Sequence, residues 1–101
     1  MSNVTTPTLT KLQITAIHMD GQEGLQHIAR AAWNGLEPSP NAETGENSRE
    51  EIINWINGGG SAVVRVSIYE VQVEVVNAAT PYLRTRPDST GVDNLLNLPQ
   101  Y

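Results

Sequence analysis

Residues 48–78 read SREEIINWINGGGSAVVRVSIYEVQVEVVNA, and the fold class follows from how this stretch divides. Ser48-Arg49-Glu50-Glu51 has the spacing of a capping box. The Ser48 hydroxyl accepts from the backbone N–H of Glu51, and the Glu51 carboxylate accepts from the N–H of Ser48. Glu50 and Glu51 also lie at the positive end of the helix dipole. Ile52, Trp55 and Ile56 follow at i, i+3 and i+4, the spacing of one apolar helical face. Gly58-Gly59-Gly60 ends the helix, because glycine takes the left-handed cap conformation. A helix of about ten residues is not stable alone, so its apolar face requires a sheet.

The second half of the stretch supplies that sheet. Val64, Val66 and Ile68, then Val71, Val73 and Val75, alternate with other residues, and the phase breaks between Ile68 and Val71. A tight turn at Tyr69-Glu70 repairs it. Ile68 then opposes Val71, Val66 opposes Val73, Val64 opposes Val75, and Arg65 opposes Glu74 as an opposite-charge cross-strand pair. Tyr-Glu is poor chemistry for a two-residue hairpin, which prefers Asn-Gly or Gly-X. One long strand carrying a bulge is the alternative.

Working towards the N-terminus, residues 9–19 alternate as a strand. Leu12, Ile14, Ala16 and His18 share one face, and Gln13, Thr15, Ile17 and Met19 the other. Asp20-Gly21 is a turn signal. Residues 24–36 carry two periods at once. Leu25, Ile28, Ala29, Ala32, Trp33 and Leu36 form a helical stripe, whereas Leu25, His27, Ala29, Ala31 and Trp33 share one face of a strand. Periodicity and alanine content favour the helix. Residues 34–47 hold two prolines, two glycines and three glutamates and read as a mobile loop. Residues 1–8, almost without apolar side chains, read as a disordered lead-in to a single globular domain over 9–101.

Towards the C-terminus, Tyr82-Leu83-Arg84-Thr85 reads as a short strand, and Pro81 before it suits an edge. Residues 86–91 are a turn cluster. Leu95, Leu96 and Leu98 then give one turn of apolar cover, stopped by Pro99. The tail is expected to fold back and hold the helix against the valine strands.

Tyr82-Leu83-Arg84-Thr85, Pro87-Asp88, Asp93-Asn94-Leu95-Leu96 and Leu98-Pro99 together resemble the ending of a small, mostly bacterial domain family of unknown function. Ile14, Asp20-Gly21, Ile28, Trp33, residues 48–52, Val73 and Val75 match it as well, so the resemblance covers roughly residues 11–99. Two departures stand out: a longer stretch after Trp33, and no glycine at the valine hairpin. The resemblance implies that residues 25–33 are a strand pairing with the first, against the helical stripe. It implies no activity. The expected fold is α+β, an antiparallel sheet of about five strands with one helix on one face, in the order β-β-α-β-β-β.

Composition narrows the function classes. The 101 residues (11.0 kDa) hold 6 Lys+Arg against 11 Asp+Glu, a net charge of −5, which argues against nucleic acid or an anionic membrane as partner. Absence of cysteine removes disulfides, thiolate nucleophiles and Cys-ligated metals. No apolar run approaches the ~20 residues of a membrane span, and the first residues lack a signal-peptide pattern. A soluble, cytoplasmic chain without cofactor is expected.

Two groups of side chains carry candidate chemistry. His18 and His27 would face each other across a hairpin, weak candidates for a metal pair because no third ligand stands at fixed spacing. Arg84, Arg86, Asp88, Asp93 and Asn94 fall within eleven residues. Their guanidinium forks suit a carboxylate or phosphate, and Asp88 or Asp93 would be the base if the site were catalytic. The bland reading makes Asp93 and Asn94 caps and Arg84 an ion-pair partner that pins the tail. No nucleophile elbow is present, and Gly58-Gly59-Gly60 follows a helix instead of opening one, so it is no phosphate loop. Trp33 and Trp55 read as core. The expected function is a non-enzymatic binding or accessory module for a protein or small anionic ligand. The competing reading is a small hydrolase built on the Arg/Asp cluster.

Overall fold

The chain runs β1 (Lys11–Met19), β2 (Ile28–Glu37), β3 (Thr44–Ser48), α1 (Arg49–Asn57), β4 (Ser61–Val66), β5 (Tyr69–Val76) and β6 (Tyr82–Thr85). The computed structural model describes residues 9–37, 43–66, 69–86 and 95–101. The strands form one sheet in the order β3-β2-β1-β4-β5-β6. All neighbours are antiparallel except β1 and β4, which pair parallel through residues 11–13 and 61–63.

Helix α1 forms as its first turn dictates. Ser48 Oγ accepts from Glu51 N at 3.2 Å, and Glu51 Oε1 accepts from Ser48 N at 3.0 Å. Gly59, at φ +111°, turns the chain away, and its N–H and that of Gly60 reach back to the carbonyls of Ile56 and Trp55. Ile52 and Ile53 are buried and Trp55 and Ile56 half-buried, packed with Leu12, Ile14, Ala62, Val64, Val73 and Leu83 of the sheet. Burying an aliphatic side chain of this size contributes about 1.5–3 kcal/mol.

Several expectations change. The expected loop over 34–47 contains structure at both ends: residues 34–37 continue β2, and residues 44–48 form β3, which pairs antiparallel with β2 from Arg30↔Ser48 to Asn34↔Thr44. The physical reason lies in Gly45. A Cβ there would come within 2.7 Å of the Trp33 ring, so the glycine lets a polar strand lie against the aromatic side chain. The helical stripe over 24–36 gives way to strand from Ile28 on, paired with β1 as the family resemblance implies, while Leu25–His27, also expected as strand, form a short 3-10 turn.

Strand β1 does not keep its alternation. Ile14 pairs with Trp33 and Ala16 with Ala32, so β1 holds one extra residue at this point. Thr15 Oγ1 donates to the Ala32 carbonyl at 3.3 Å within the bulge. Downstream of it the faces exchange: Ile17 is fully buried and Met19 packs on the core, while His18 is exposed. The valine hairpin also shifts. Val64 opposes Val71 and Arg65 opposes Glu70, not Val75 and Glu74 as the turn at Tyr69-Glu70 required. That turn is replaced by strand pairing as far as Val66↔Tyr69. The expected partner Ile68 lies outside the described residues.

The tail closes the structure. Leu95 is 1% exposed in the same core as α1, and Leu98 packs against it. Beyond residues 11–13, the β4 side of β1 receives the tail instead: Ile17 N donates to the Pro99 carbonyl at 2.9 Å, and Tyr101 N donates to the Ile17 carbonyl at 3.0 Å. The expected lead-in over 1–8 and the turn over 87–91 lie outside the described residues.

Candidate binding face

Alternation along β5 decides what the sheet shows to solvent. Val71, Val73 and Val75 turn towards α1, so Glu70, Gln72 and Glu74 share the opposite face. Each of the two glutamates meets two cations. Glu70 Oε1 accepts from Lys11 Nζ at 2.6 Å, and its Oε2 from Arg65 Nη2 at 3.2 Å. Glu74 Oε1 accepts from Arg84 Nε at 2.9 Å, while Arg86 Nε stands 3.9 Å from Oε2. The Lys11 ammonium, with Arg65 beyond it, holds the Glu70 carboxyl below its ordinary range.

These four cations and two carboxylates sum to +2. The whole chain is at −5, so its remainder is at −7. Arg84 and Arg86 alternate along the outer side of β6, with Tyr82 in the same row. Arg86 extends the ladder past the strand, its backbone N–H donating to the Gln72 carbonyl at 2.7 Å. Asp88, Asp93 and Asn94 lie outside the described residues. Lys11, Arg65, Glu70 and Glu74 were not among the sequence candidates. The Glu-x-Gln-x-Glu alternation between valines was the signal for them, and only the register shows which cations reach it.

The histidines do not face each other. His18 pairs across the ladder with Arg30, and its Nδ1 meets the Tyr101 carbonyl while its ring lies 5.4 Å from the Tyr101 ring. His27 Nδ1 sits 2.8 Å from Asp20 Oδ2, and Asp20 Oδ1 accepts from Gln22 N at 3.1 Å. These bonds, the one with His27 foremost, draw the Asp20 carboxyl below its usual range. Among the described residues no three His, Asp or Glu side chains gather as a metal would need. Each of the remaining two cations meets one carboxylate, Arg30 that of Glu46 at 2.8 Å and Arg49 that of Glu50 at 3.0 Å, and Arg49 Nη1 also donates to the Gln26 carbonyl at 2.6 Å. The Tyr101 phenol, beside Glu46 and Arg30, is pushed up by burial and by the Glu46 charge.

Between α1 and the sheet a cleft of about 150 Å³ opens between Trp33 and Trp55. Its polar groups are already committed. Trp33 Nε1 donates to Asn47 Oδ1 at 2.8 Å, Asn47 Nδ2 donates to Glu51 Oε1 at 3.3 Å, and Glu51 serves the cap. This network braces β2 and β3 against the start of α1.

A family model described as Protein of unknown function (DUF3892) matches residues 13–99. The chain belongs to that family. The DUF3892 match runs from β1 through β6 and on into the folded-back tail, so it takes in both the valine hairpin and the arginine pair of β6. No curated protein and no solved structure matches the chain.

Proposed function

We propose that this DUF3892 chain is a non-enzymatic recognition module that takes an anionic group at the corner formed by Arg84, Arg86 and Glu74. The carrying observation is the sharing of one carboxylate by two guanidinium groups, with Arg84 Nε at 2.9 Å and Arg86 Nε at 3.9 Å. Arg86 is two-thirds exposed, at 67%, and its distant contact with Glu74 leaves donors for an incoming oxyanion. Asp88, Asp93 and Asn94 belong to the same proposal as the polar residues that follow Arg86 in the chain. A guanidinium fork recognises carboxylate or phosphate without an acid–base pair, and this corner needs none to bind. A bacterial, cytoplasmic setting is part of the proposal. It rests on the resemblance of the C-terminal block and on the cysteine-free composition.

The test is a thermal-shift panel of carboxylates and phosphates on the wild type and on Arg84→Ala. A ligand that raises the melting temperature of the wild type and not of the variant, with both melting alike unliganded, supports the reading. Ligands that stabilise both equally, or none that stabilises the wild type, overturn it.

A further inference from the structure

We infer that the anionic partner is an extended acidic peptide segment lying along β5, with acidic side chains four residues apart that reach the Glu70 and the Glu74 cation pairs together. The inference rests on the anion-binding reading of the Arg84 corner and extends it to a second corner, Lys11–Glu70–Arg65.

The two corners are alike. Each has one carboxylate from β5 and two cations, Lys11 of β1 with Arg65 of β4 at one and Arg84 of β6 with Arg86 just past that strand at the other, so each set of three carries one positive charge in excess. Glu70 and Glu74 lie on the same face of one strand, four residues apart, so the corners repeat at about 13 Å. An extended peptide has the same rise per residue, so its i and i+4 side chains fall at that spacing and on one side. A helical peptide puts i and i+4 about 6 Å apart and reaches only one corner. Between the corners lies Gln72, whose amide already donates to Ser61 Oγ and the Ala62 carbonyl at 3.2 Å each, so the middle of the track offers no competing charge. Glu37, the ladder partner of Lys11, limits the track at the β1–β2 side. Charge selects a short segment over a long polyanion: the two corners together hold two excess positive charges, and the remaining −7, which begins with Glu37 beside Lys11, repels whatever extends past them.

The probe is a blocked ten-residue peptide of alternating Thr and Val with two glutamates four positions apart. Its control has one glutamate changed to glutamine. Calorimetry at low salt is expected to give the two-glutamate peptide about 5-fold tighter binding than the control, a gain that disappears in 0.5 M salt. Lys11→Ala/Arg65→Ala lowers its affinity to that of the control. Glu70→Gln and Glu74→Gln each tighten it, a change of sign that a misfolded variant does not produce. Equal binding of the two peptides, with a thermal shift by phosphate still dependent on Arg84, overturns the extended track and leaves the single corner standing. Silence towards both peptides and phosphate overturns both readings. A concentration-dependent dimer of the free protein that Lys11→Ala/Arg65→Ala dissolves assigns the face to a second copy, and that also overturns the peptide.

Discussion

The half of the sheet formed by β3, β2 and β1 and the half formed by β4, β5 and β6 are built on opposite rules. In the first, the β1–β2 register slips three times, and the aromatic Trp33 lies over a glycine of the neighbouring strand. In the second, the pairings 63–66 with 69–72 and 73–76 with 82–85 run without a break. In the irregular half Arg30 meets Glu46 of β3, and Glu50 and Glu51 stand beyond it in the first turn of α1. The regular half supplies three of the six cations of the chain, Arg65, Arg84 and Arg86, and its Glu70 draws in a fourth, Lys11 of β1. A regular ladder places outward side chains at fixed spacing, which is what a repeated contact with a partner requires. An irregular one seats Trp33 over Gly45, and gives up that spacing.

The largest effect expected concerns the bulge. Ile17→Ala should cost about 2–5 kcal/mol in chemical denaturation, because Ile17 is fully buried below the slip. Ala16→Thr should change stability little, since Ala16 lies on the opposite face. A reversed pair of results would mean that β1 keeps unbroken alternation. Next come the glycine seats. A Cβ on Gly60 would lie 2.4 Å from the Trp55 ring, and one on Gly45 lies 2.7 Å from Trp33. Gly60→Ala and Gly45→Ala are each expected to cost about 1–3 kcal/mol, with a change in tryptophan fluorescence. Equal stability would show that both rings move aside freely.

Ser48→Ala removes the hydroxyl cap at the start of α1 and should cost about 1 kcal/mol by the same denaturation measurement. Its acid response sharpens the comparison. Asp20, Glu50, Glu51 and Glu70 all sit below their ordinary values, for Glu51 chiefly through the Ser48 backbone N–H. Depressed carboxyl groups lend stability above the unfolded values of 3.8 and 4.5, and that stability is lost as pH falls through the lower folded values. The melting temperature should therefore be flat near neutrality and fall below about pH 4.5. Glu51→Gln should make the fall shallower, and an unchanged slope would remove Glu51 from the account. The smallest effect belongs to the cationic half: Arg84→Ala and Arg65→Ala should each shift stability by less than about 1 kcal/mol, as exposed ion pairs do. A larger loss would make those arginines structural.

What could be read in the sequence follows the same division. The capping box, the glycine stop, the valine strands and the buried Leu95 were legible because each rests on local chemistry or unbroken period. The exchange of faces at Thr15 was not, because a bulge is a property of two strands and only one was in view. The strand at 44–48 hid for a similar reason: its polar residues look like a loop until Trp33 supplies the apolar surface for Gly45. At the candidate site, Arg84 and Arg86 were legible as a cluster. Their common partner Glu74 was not, since the expected register gave it to Arg65.

Residues 99 and 101 bond to residue 17, so the first long strand gains a neighbour from the end of the described chain. On the ribosome, β1 must wait with half an edge unsatisfied until residues 99–101 have been made. Contacts spanning more than eighty residues also slow refolding of the whole chain. Anything holding residues 99–101, such as a stalled tunnel, would delay the seating of β1 before it disturbed α1.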